Sequence, residues 1–553
     1  MTVDNSLSID QQALSNSDRA WRRWRVMFVI VAVLVPLGFV LITDHVWEDY
    51  LITFRVGRNL VLGHGLVYSP GSRVQGSTSP LGTLLPAFYY WLLHTEPFKP
   101  ALWAFRLTSI VAFVTAGLII LKMMLKSPNA DRLSPLFFVL LFLTEAKSVA
   151  YAVNGQECAF MMLFIAMGFW VAYHDMARHW WIAGLAWAGL QWTRPDGCIY
   201  VAALGLAGLF FYQKAKRDYL IGTLKAAGLC TVLYLPWFVF AWTFYGNPVP
   251  HTVIAKGTRP FPFSFLNPGE VLRKFLSAYP MLTVEVFEPI YASLGGWPAV
   301  LVDTYSLFML AVGTIYWMIP STDRLGRLGS LLFTMMCSYM SFVGMTYGAA
   351  PWYLPTIAFL GTISVSRAVY MIVIRIGNLD RPEWVVRPIQ AATILASLFF
   401  LIGTTIQIKI QQLEVEDGNR KQIGLWLGEH MKPEETLFME PLGYIGFYSE
   451  MPRIYDFPGL VAPEVVKARK RGSGSMQSVV IQLRPDWLVL RPHELRTFSQ
   501  VPEIRNSYEV IKEFDVRPAL RRYGSIPGSG YLLWDAQFSV LRKQTSTPSS
   551  PIP

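Results

Sequence analysis

Charge is scarce in this chain. Only 15% of its 553 residues are Asp, Glu, Lys or Arg, against roughly 25% in a soluble globular protein, which excludes an ordinary cytosolic enzyme of several domains. Cysteine is scarce too. The four present, Cys158, Cys198, Cys230 and Cys337, all fall in apolar stretches where a free thiol behaves as a small hydrophobe, and no disulfide framework or zinc spacing is visible. No repeat of solenoid period occurs, and no internal duplication of the kind many transporters carry. Low hydropathy is absent as well: 19 Trp, 25 Tyr and a mean hydropathy of +0.36 exclude disorder and collagen-like sequence.

What is present is apolar sequence in long runs. Residues 26–43 form an uncharged run just after Arg19, Arg22, Arg23 and Arg25, which places residues 1–25 in the cytoplasm by the positive-inside rule. No small-residue cleavage site follows, so the run reads as a retained span. Further apolar segments fall near 80–93, 105–121, 134–150, 158–174, 180–192, 196–212, 219–243, 297–319, 329–346, 353–375 and 388–408. Basic clusters at Lys122/Lys126/Arg132, Lys214/Lys216/Arg217, Arg324/Arg327 and Arg375/Arg381/Arg387 share the cytoplasmic face only if 80–93 does not cross or a further crossing lies between 44 and 104. The expectation is a mainly α, polytopic bundle of about 11–13 transmembrane helices. The net charge of +11 is thereby explained by topology and anionic headgroups rather than by nucleic acid.

Four units follow from this. They are the cytoplasmic segment 1–25, a membrane domain 26–408, an external soluble α/β domain 409–543 and a disordered Ser/Thr/Pro tail 544–553. Within the third, Gln411 to His430 reads as an amphipathic run, Thr436–Met439, Trp487–Leu490 and Tyr531–Leu533 as strands, and Lys467–Gly474 as a basic loop.

The chemistry concentrates on one predicted face. The first external loop, 44–79, carries the adjacent carboxylates Glu48 and Asp49, then Arg55 and Arg58 at helical spacing, then His64, Gln75, Ser77 and Thr78. Charges pressed against a membrane surface are costly unless paired or used. Any one of them alone is better explained by solubility or snorkelling. The other external loops add Glu157 in NGQE, Arg194 and Asp196 in TRPDG, His251 and Lys256 in the 244–257 loop, Tyr353 at the start of a late span, and Asp456 in PRIYDFPGL. Arg suits phosphate through paired hydrogen bonds and Lys through a compact charge, while a carboxylate suits proton transfer. Glu48 and Asp49 could also hold Mg²⁺, Mn²⁺ or Ca²⁺.

The runs WEDYLITFR (47–55), GHGLVYSPG (63–71), VQGSTSPL (74–81), NGQE (154–157), TRPDG (193–197), YGNPVPHTVIAK (245–256) and IYDFPGL (454–460) resemble the GT-C superfamily of polytopic glycosyltransferases. Within it they resemble terminal arabinofuranosyltransferase-like bacterial membrane proteins. The resemblance implies a GT-C fold in the bacterial inner membrane with its active site on the periplasmic side. It implies transfer of a sugar, arabinofuranose among the options, from a polyprenyl-phosphate donor to a glycan, lipid or protein acceptor. It also places the main catalytic carboxylate at Asp49, with Glu48 beside it. Three departures stand out: Glu-Asp where relatives often carry Asp-Asp, His251 where they commonly carry Asn, and no arginine before Tyr353. The competing readings are a transporter or flippase of lipid-linked sugars, an O-antigen-ligase-like glycan transferase, and a non-catalytic assembly protein. Ionisable residues gathered in loops at one surface, rather than inside spans, weigh against transport.

Overall fold

The computed structural model describes residues 24–94, 98–127, 131–212, 215–257, 262–348, 350–377 and 381–544. The predicted cytoplasmic segment up to residue 23, Lys214, and the tail from 545 lie outside the described residues.

The first half is a helical bundle: α1 (Trp24–Thr43), α2 (Glu48–Val61), α3 (Pro80–Leu93), α4 (Lys99–Lys126), α5 (Leu133–Thr144), α6 (Ala146–Tyr151), α7 (Cys158–Tyr173) and α8 (Met176–Thr193). It continues through α9 (Gly197–Phe211), α10 (Lys216–Tyr245), α11 (His251–Lys256), α12 (Pro268–Val284), α13 (Ala299–Ile315), α14 (Arg324–Tyr347), α15 (Leu354–Gly377) and α16 (Glu383–Ile410). Short polar residues start several of these helices by accepting first-turn amides. Ser79 caps α3 through Gly82 with Pro80 at the first helical position, and Asp175 caps α8 through Ala177 and Arg178.

Among the described residues, seven helical stretches are long and apolar enough to cross a membrane, those containing α1, α4, α10, α13, α14, α15 and α16, and α5, α7 and α9 are shorter apolar helices. The chain is a multi-pass membrane protein. Its layers differ in burial: 72% of the span through α15 is covered by other helices but only 17% of the span through α10. So α15 is the central post, and α10 lies at the edge with its Leu and Val side chains turned outward. The α3 segment that breaks the charge parity is a 14-residue helix containing Pro86, packed on α2 and α4.

A difference from the sequence expectation appears at the end of α16. Rather than stopping near 408, the helix continues through a π-helical stretch, Gln411–Arg420, into Lys421–His430, giving 48 helical residues without a break. The wider π turn redirects the side chains of a polar segment while keeping the rod intact. The amphipathic run is therefore a rigid continuation of a membrane helix.

Beyond it lies a five-stranded sheet, β1 (Leu437–Met439), β2 (Ile454–Asp456), β3 (Trp487–Leu490), β4 (Tyr508–Asp515) and β5 (Gln537–Lys543), in the order β2-β1-β3-β5-β4. Strands β2, β1 and β3 run parallel, while β5 and β4 add antiparallel. Trp487 to Leu490 are buried on both faces, as a central parallel strand requires. Two sequence assignments change here. Tyr531–Leu533 lies in the helix Ser529–Trp534 and not in a strand, because residues on one side pack on the bundle while Leu533 and Trp534 stay exposed. Lys467–Arg471 closes the helix Pro463–Arg471, its cations favoured at a helix C-terminus, and only the glycines that follow form the loop.

The α9 helix, 15 residues and hence roughly 22 Å long, separates exposed Cys198 from Ala215. A membrane-impermeant maleimide added to intact spheroplasts is expected to modify Cys198, but to modify Ala215→Cys in a Cys198→Ser chain only after permeabilisation. Labelling of both from one side would overturn the crossing.

Candidate functional site

The site begins with the start of α2. The Trp47 amide donates to Asn154 O at 2.9 Å, which pins the 44–79 loop to the NGQE turn. Gly155 in that turn has φ +98°, and a Cβ there would sit 2.6 Å from the Tyr50 ring, so both conformation and space call for glycine. Glu48 and Asp49 then occupy the first turn, where the helix dipole favours negative charge. Consecutive helical residues diverge by about 100°, and the two carboxylates part accordingly.

Glu48 turns toward the terminal domain. Its Oε2 accepts from Arg420 at 3.0 Å and its Oε1 from the Gly443 amide at 3.0 Å. Asp49 instead faces a cavity of about 960 Å³, and its carboxyl makes no hydrogen bond or ion pair with a described residue. Two cations line the cavity with it. Arg194, at the end of α8, is held between Glu157 (3.3 Å) and Asp196 (2.9 Å) and lies over the Tyr353 ring at 4.4 Å. Lys256, at the end of α11, lies 5.0 Å from the Trp352 ring centre. Ser77 and Thr78 also line the space. A second, more apolar cavity of about 220 Å³ adjoins it, sharing Lys256, Trp352 and Tyr353 and walled by Met340, Val343 and Ile357.

Of the residues singled out in the sequence, Glu48, Asp49, Ser77, Thr78, Glu157, Arg194, Asp196, Lys256 and Tyr353 meet in this cavity. The others do not line it. Arg55 is buried and donates to the carbonyls of Tyr68, Gly446 and Met451, a clamp between α2 and the terminal domain. Arg58 pairs with Glu450 on the surface at 2.8 Å, and His64 is exposed. Gln75 is buried behind the cavity and its carbonyl accepts from the His251 amide at 3.1 Å. Asp456 is fully buried and accepts from the amides of Gly459, Leu460 and Val461, shaping the loop whose Phe457, Pro458 and Leu460 form a cavity wall.

The wall opposite the cations was not singled out by sequence patterning. Gln411, Glu416, Glu440, Tyr291 and Tyr531 complete it. Behind them Arg420, 2% exposed, is held by Glu48, Glu416 (3.1 Å) and Asp535, and Asp535 also pairs with Arg491, which reaches Glu440 at 2.6 Å. The Glu416/Arg420 spacing of four residues on a predicted helix was the one local signal available. Its partners lie far away in the chain and leave no such trace.

Burial sets the electrostatics. Desolvation raises the Asp49 carboxyl above its ordinary value, against the pull of Lys256 and Arg194 and with the push of Glu440. Desolvation likewise pushes Glu48 up to about 7 despite Arg420, raises Glu157 despite Arg194, and lowers the Lys256 ammonium despite Asp49. Asp49 thus feels both Lys256 and Arg194, which favour its charged form, and Glu440, which opposes it. Glu48 and Asp49 do not converge on a common point, and among the described residues no group of three or more His, Cys, Asp or Glu is disposed to hold a metal ion. The donor set does not fit the divalent cation considered from the sequence.

Comparison with known proteins agrees with this architecture. Residues 406–534 match a domain of unknown function, DUF8728. The chain is 28% identical over 240 residues to the terminal β-(1→2)-arabinofuranosyltransferase of Corynebacterium glutamicum, covering 38% of this chain and 32% of that protein. It therefore spans about a third of the curated relative's length. ArnT from Cupriavidus metallidurans in the apo state superposes with a TM-score of 0.55 at 12% identity, over 96% of this chain and 100% of that one, and ArnT bound to undecaprenyl phosphate with 0.52 at 13%, over 96% and 99%. The Archaeoglobus fulgidus oligosaccharyltransferase in the apo form gives 0.54 at 12%, over 89% and 73%. The fold is the GT-C fold.

Replacing Arg420 by Gln leaves Glu48 and Glu416 without their guanidinium and Asp535 with Arg491 alone, a change expected to cost about 3–5 kcal/mol. Thermal unfolding in detergent should show a clearly lowered midpoint, partly restored by adding Glu48→Gln. An unchanged midpoint in Arg420→Gln would show that the network carries no stability.

Proposed function

We propose that the chain is an integral membrane glycosyltransferase that takes a sugar from a polyprenyl-phosphate donor and passes it to a cell-envelope glycan or lipid acceptor at the external, periplasmic face of the bacterial inner membrane. Arabinofuranose is the favoured sugar. The observation that carries this reading is that a carboxylate engaged by no described residue, Asp49, lines one large cavity together with two cations, Arg194 and Lys256, whose charge acts on it. The adjoining apolar space beside Lys256 supports a prenyl-linked donor, because it continues the phosphate side of the cavity toward the helix bundle. The curated relative, an arabinofuranosyltransferase, supports the sugar, and the ArnT complex with undecaprenyl phosphate supports the carrier.

The reaction needs few groups. An acceptor hydroxyl oxygen attacks the anomeric carbon of the donor sugar while the bond from that carbon to the phosphate oxygen breaks. The hydroxyl proton passes to Asp49, and polyprenyl phosphate leaves carrying the bonding electron pair. Asp49 as general base contributes on the order of 10²–10⁴-fold. Arg194, locked by Glu157 and Asp196 with its face on Tyr353, and Lys256 stabilise the charge that develops on the phosphate. Their preorganisation matters here, because fixed cations need no rearrangement as charge moves to the leaving group.

The test incubates the purified protein with radiolabelled polyprenyl-phosphate sugars and a cell-envelope acceptor extract. Asp49→Asn should lose about 10²-fold or more in transfer rate while binding undecaprenyl phosphate as wild type does; equal rates would sink the role of Asp49.

The pH profile of kcat/KM tests the same pair. Asp49 must be deprotonated, and its pKa is raised above 3.8, so the rate climbs through a limb shifted upward from the ordinary Asp range. Lys256 must be protonated, and its pKa is lowered from 10.5, so the rate falls at a pH below that value. Lys256→Arg should move the alkaline limb upward, since a guanidinium keeps its charge; an unmoved limb would remove Lys256 from the profile.

A further inference from the structure

The cavity has a second half that the donor does not need. Its wall is built largely from the terminal domain and from the π-helical extension of α16. Glu440, Pro441 and Leu442 follow directly on β1, and Phe457, Pro458 and Leu460 follow on β2. Arg491, which follows β3, holds Glu440 at 2.6 Å. All three are the carboxyl ends of the parallel strands, the edge at which open α/β sheets receive ligands.

Three properties of this wall bear on what it can hold. It is rich in acceptors and poor in free donors. Glu48, Glu416 and Glu440 line it, and behind them Glu494 and Asp535 share with these three the two guanidiniums Arg420 and Arg491, with Arg420 Nε left without a partner. Gln411 lines the cavity at 1% exposure, with Nε2 committed to Glu416 at 3.0 Å and Oε1 without a partner. A buried amide oxygen left unpaired is unfavourable, and a ligand donating a hydrogen bond would satisfy it. The third property is aromatic. Tyr531 and Tyr291 stack with centroids 3.6 Å apart at 5°, and Trp47 lies parallel to Tyr291 within 12°. These rings come from the terminal domain, the loop after α12 and the first external loop, and all three line the cavity. Apolar ring surface beside a few fixed polar acceptors is the lining of a small-molecule pocket, and a sugar ring presents the complement, with C–H faces and outward hydroxyl donors.

We infer that this half of the cavity, walled by Gln411, Glu416, Glu440, Tyr291 and Tyr531, is an acceptor subsite for a neutral, hydroxyl-rich sugar ring, and that it rejects acceptors bearing a carboxylate or phosphate. The inference rests on the glycosyltransferase reading and narrows its acceptor from glycan, lipid or protein to a neutral glycan end. An anionic acceptor would bring oxygen lone pairs to Gln411 Oε1 and a like charge to Glu440 and Glu416. Such juxtapositions cost several kcal/mol. Neutral hydroxyls would donate to both in the same cavity that Asp49 lines.

The test is equilibrium binding to the full-length protein in detergent, by calorimetry, with a neutral arabino-oligosaccharide, an oligogalacturonate of equal length, and undecaprenyl phosphate as probes. The neutral chain should bind at least about tenfold more tightly than the uronate, a difference of roughly 1.4 kcal/mol. Gln411→Leu should weaken the neutral chain by about fivefold or more, the scale of one lost hydrogen bond. Glu440→Gln should narrow the preference against the uronate. Undecaprenyl phosphate should bind all variants as it binds wild type. Uronate binding as tight as neutral binding, or Gln411→Leu and Glu440→Gln indistinguishable from wild type toward both glycans, would overturn the subsite while intact undecaprenyl phosphate binding preserves the transferase reading. Failure of every probe to bind would overturn both.

Discussion

Arg420 carries its charge where water scarcely reaches, and a buried guanidinium is tolerable only when its neighbours supply matching charge and hydrogen bonds. Here they come from three separate parts of the chain: Glu48 from the first external loop, Glu416 from the same helix, and Asp535 from the terminal domain. No two of them can move apart without stranding a charge. Arg420 therefore ties α2, the long α16 rod and the terminal domain to one another, alongside the Arg55 clamp on Gly446 and Met451. His45 and Val46 add to the joint, both meeting Gln412 Oε1 at 3.0 Å, and Tyr444 donates to Val46 O and to the same amide. The terminal domain is a wall of the cavity, held in place by the bundle.

This constraint explains how the cavity comes to be two-sided. The cationic wall belongs to the bundle, from the ends of α8 and α11, and is kept in place by Glu157, Asp196 and the rings at the start of the central helix. The acidic wall belongs to α16 and the sheet, and its cations are withdrawn behind the surface into the Arg420 and Arg491 network. Withdrawing the guanidiniums leaves carboxylate and amide oxygens facing inward.

How much of this was legible beforehand follows from physical range. Apolar runs long enough to span hydrocarbon report themselves, and so did the convergence of loops on one face, because both are local in sequence. Asp49, Glu157, Arg194 and Lys256 could be gathered by that logic. Arg55 misled because burial was invisible: an arginine at helical spacing after two acids looks like a site residue, whereas its guanidinium is spent on the carbonyls of Tyr68, Gly446 and Met451. Asp456 misled in the same way, its carboxylate being consumed by three amides of its own loop. Tyr531 sat in a short apolar piece that β-propensity favours, and tertiary packing made it helical. The acidic wall stayed hidden because its members, from Gln411 to Asp535, meet only through the sheet topology and the unbroken α16 rod.

The neighbouring acids show how one residue's length can divide labour. At residue 48 the side chain must reach both Arg420 and the Gly443 amide across the gap between α2 and the terminal domain. The approach is already so close that a Cβ on Gly443 would lie 2.2 Å from Glu48 Cγ. Glutamate has the extra methylene that brings both oxygens to partners at 3.0 Å, and an aspartate on the same backbone would stop short of them. With Glu48 saturated, its charge is spent on architecture. Asp49, one residue on and about 100° around the helix, keeps a carboxyl that no described residue engages. A glutamate bound into the architecture and an aspartate that no described residue engages are then two halves of one arrangement, the first holding the helix still while the second faces the cavity.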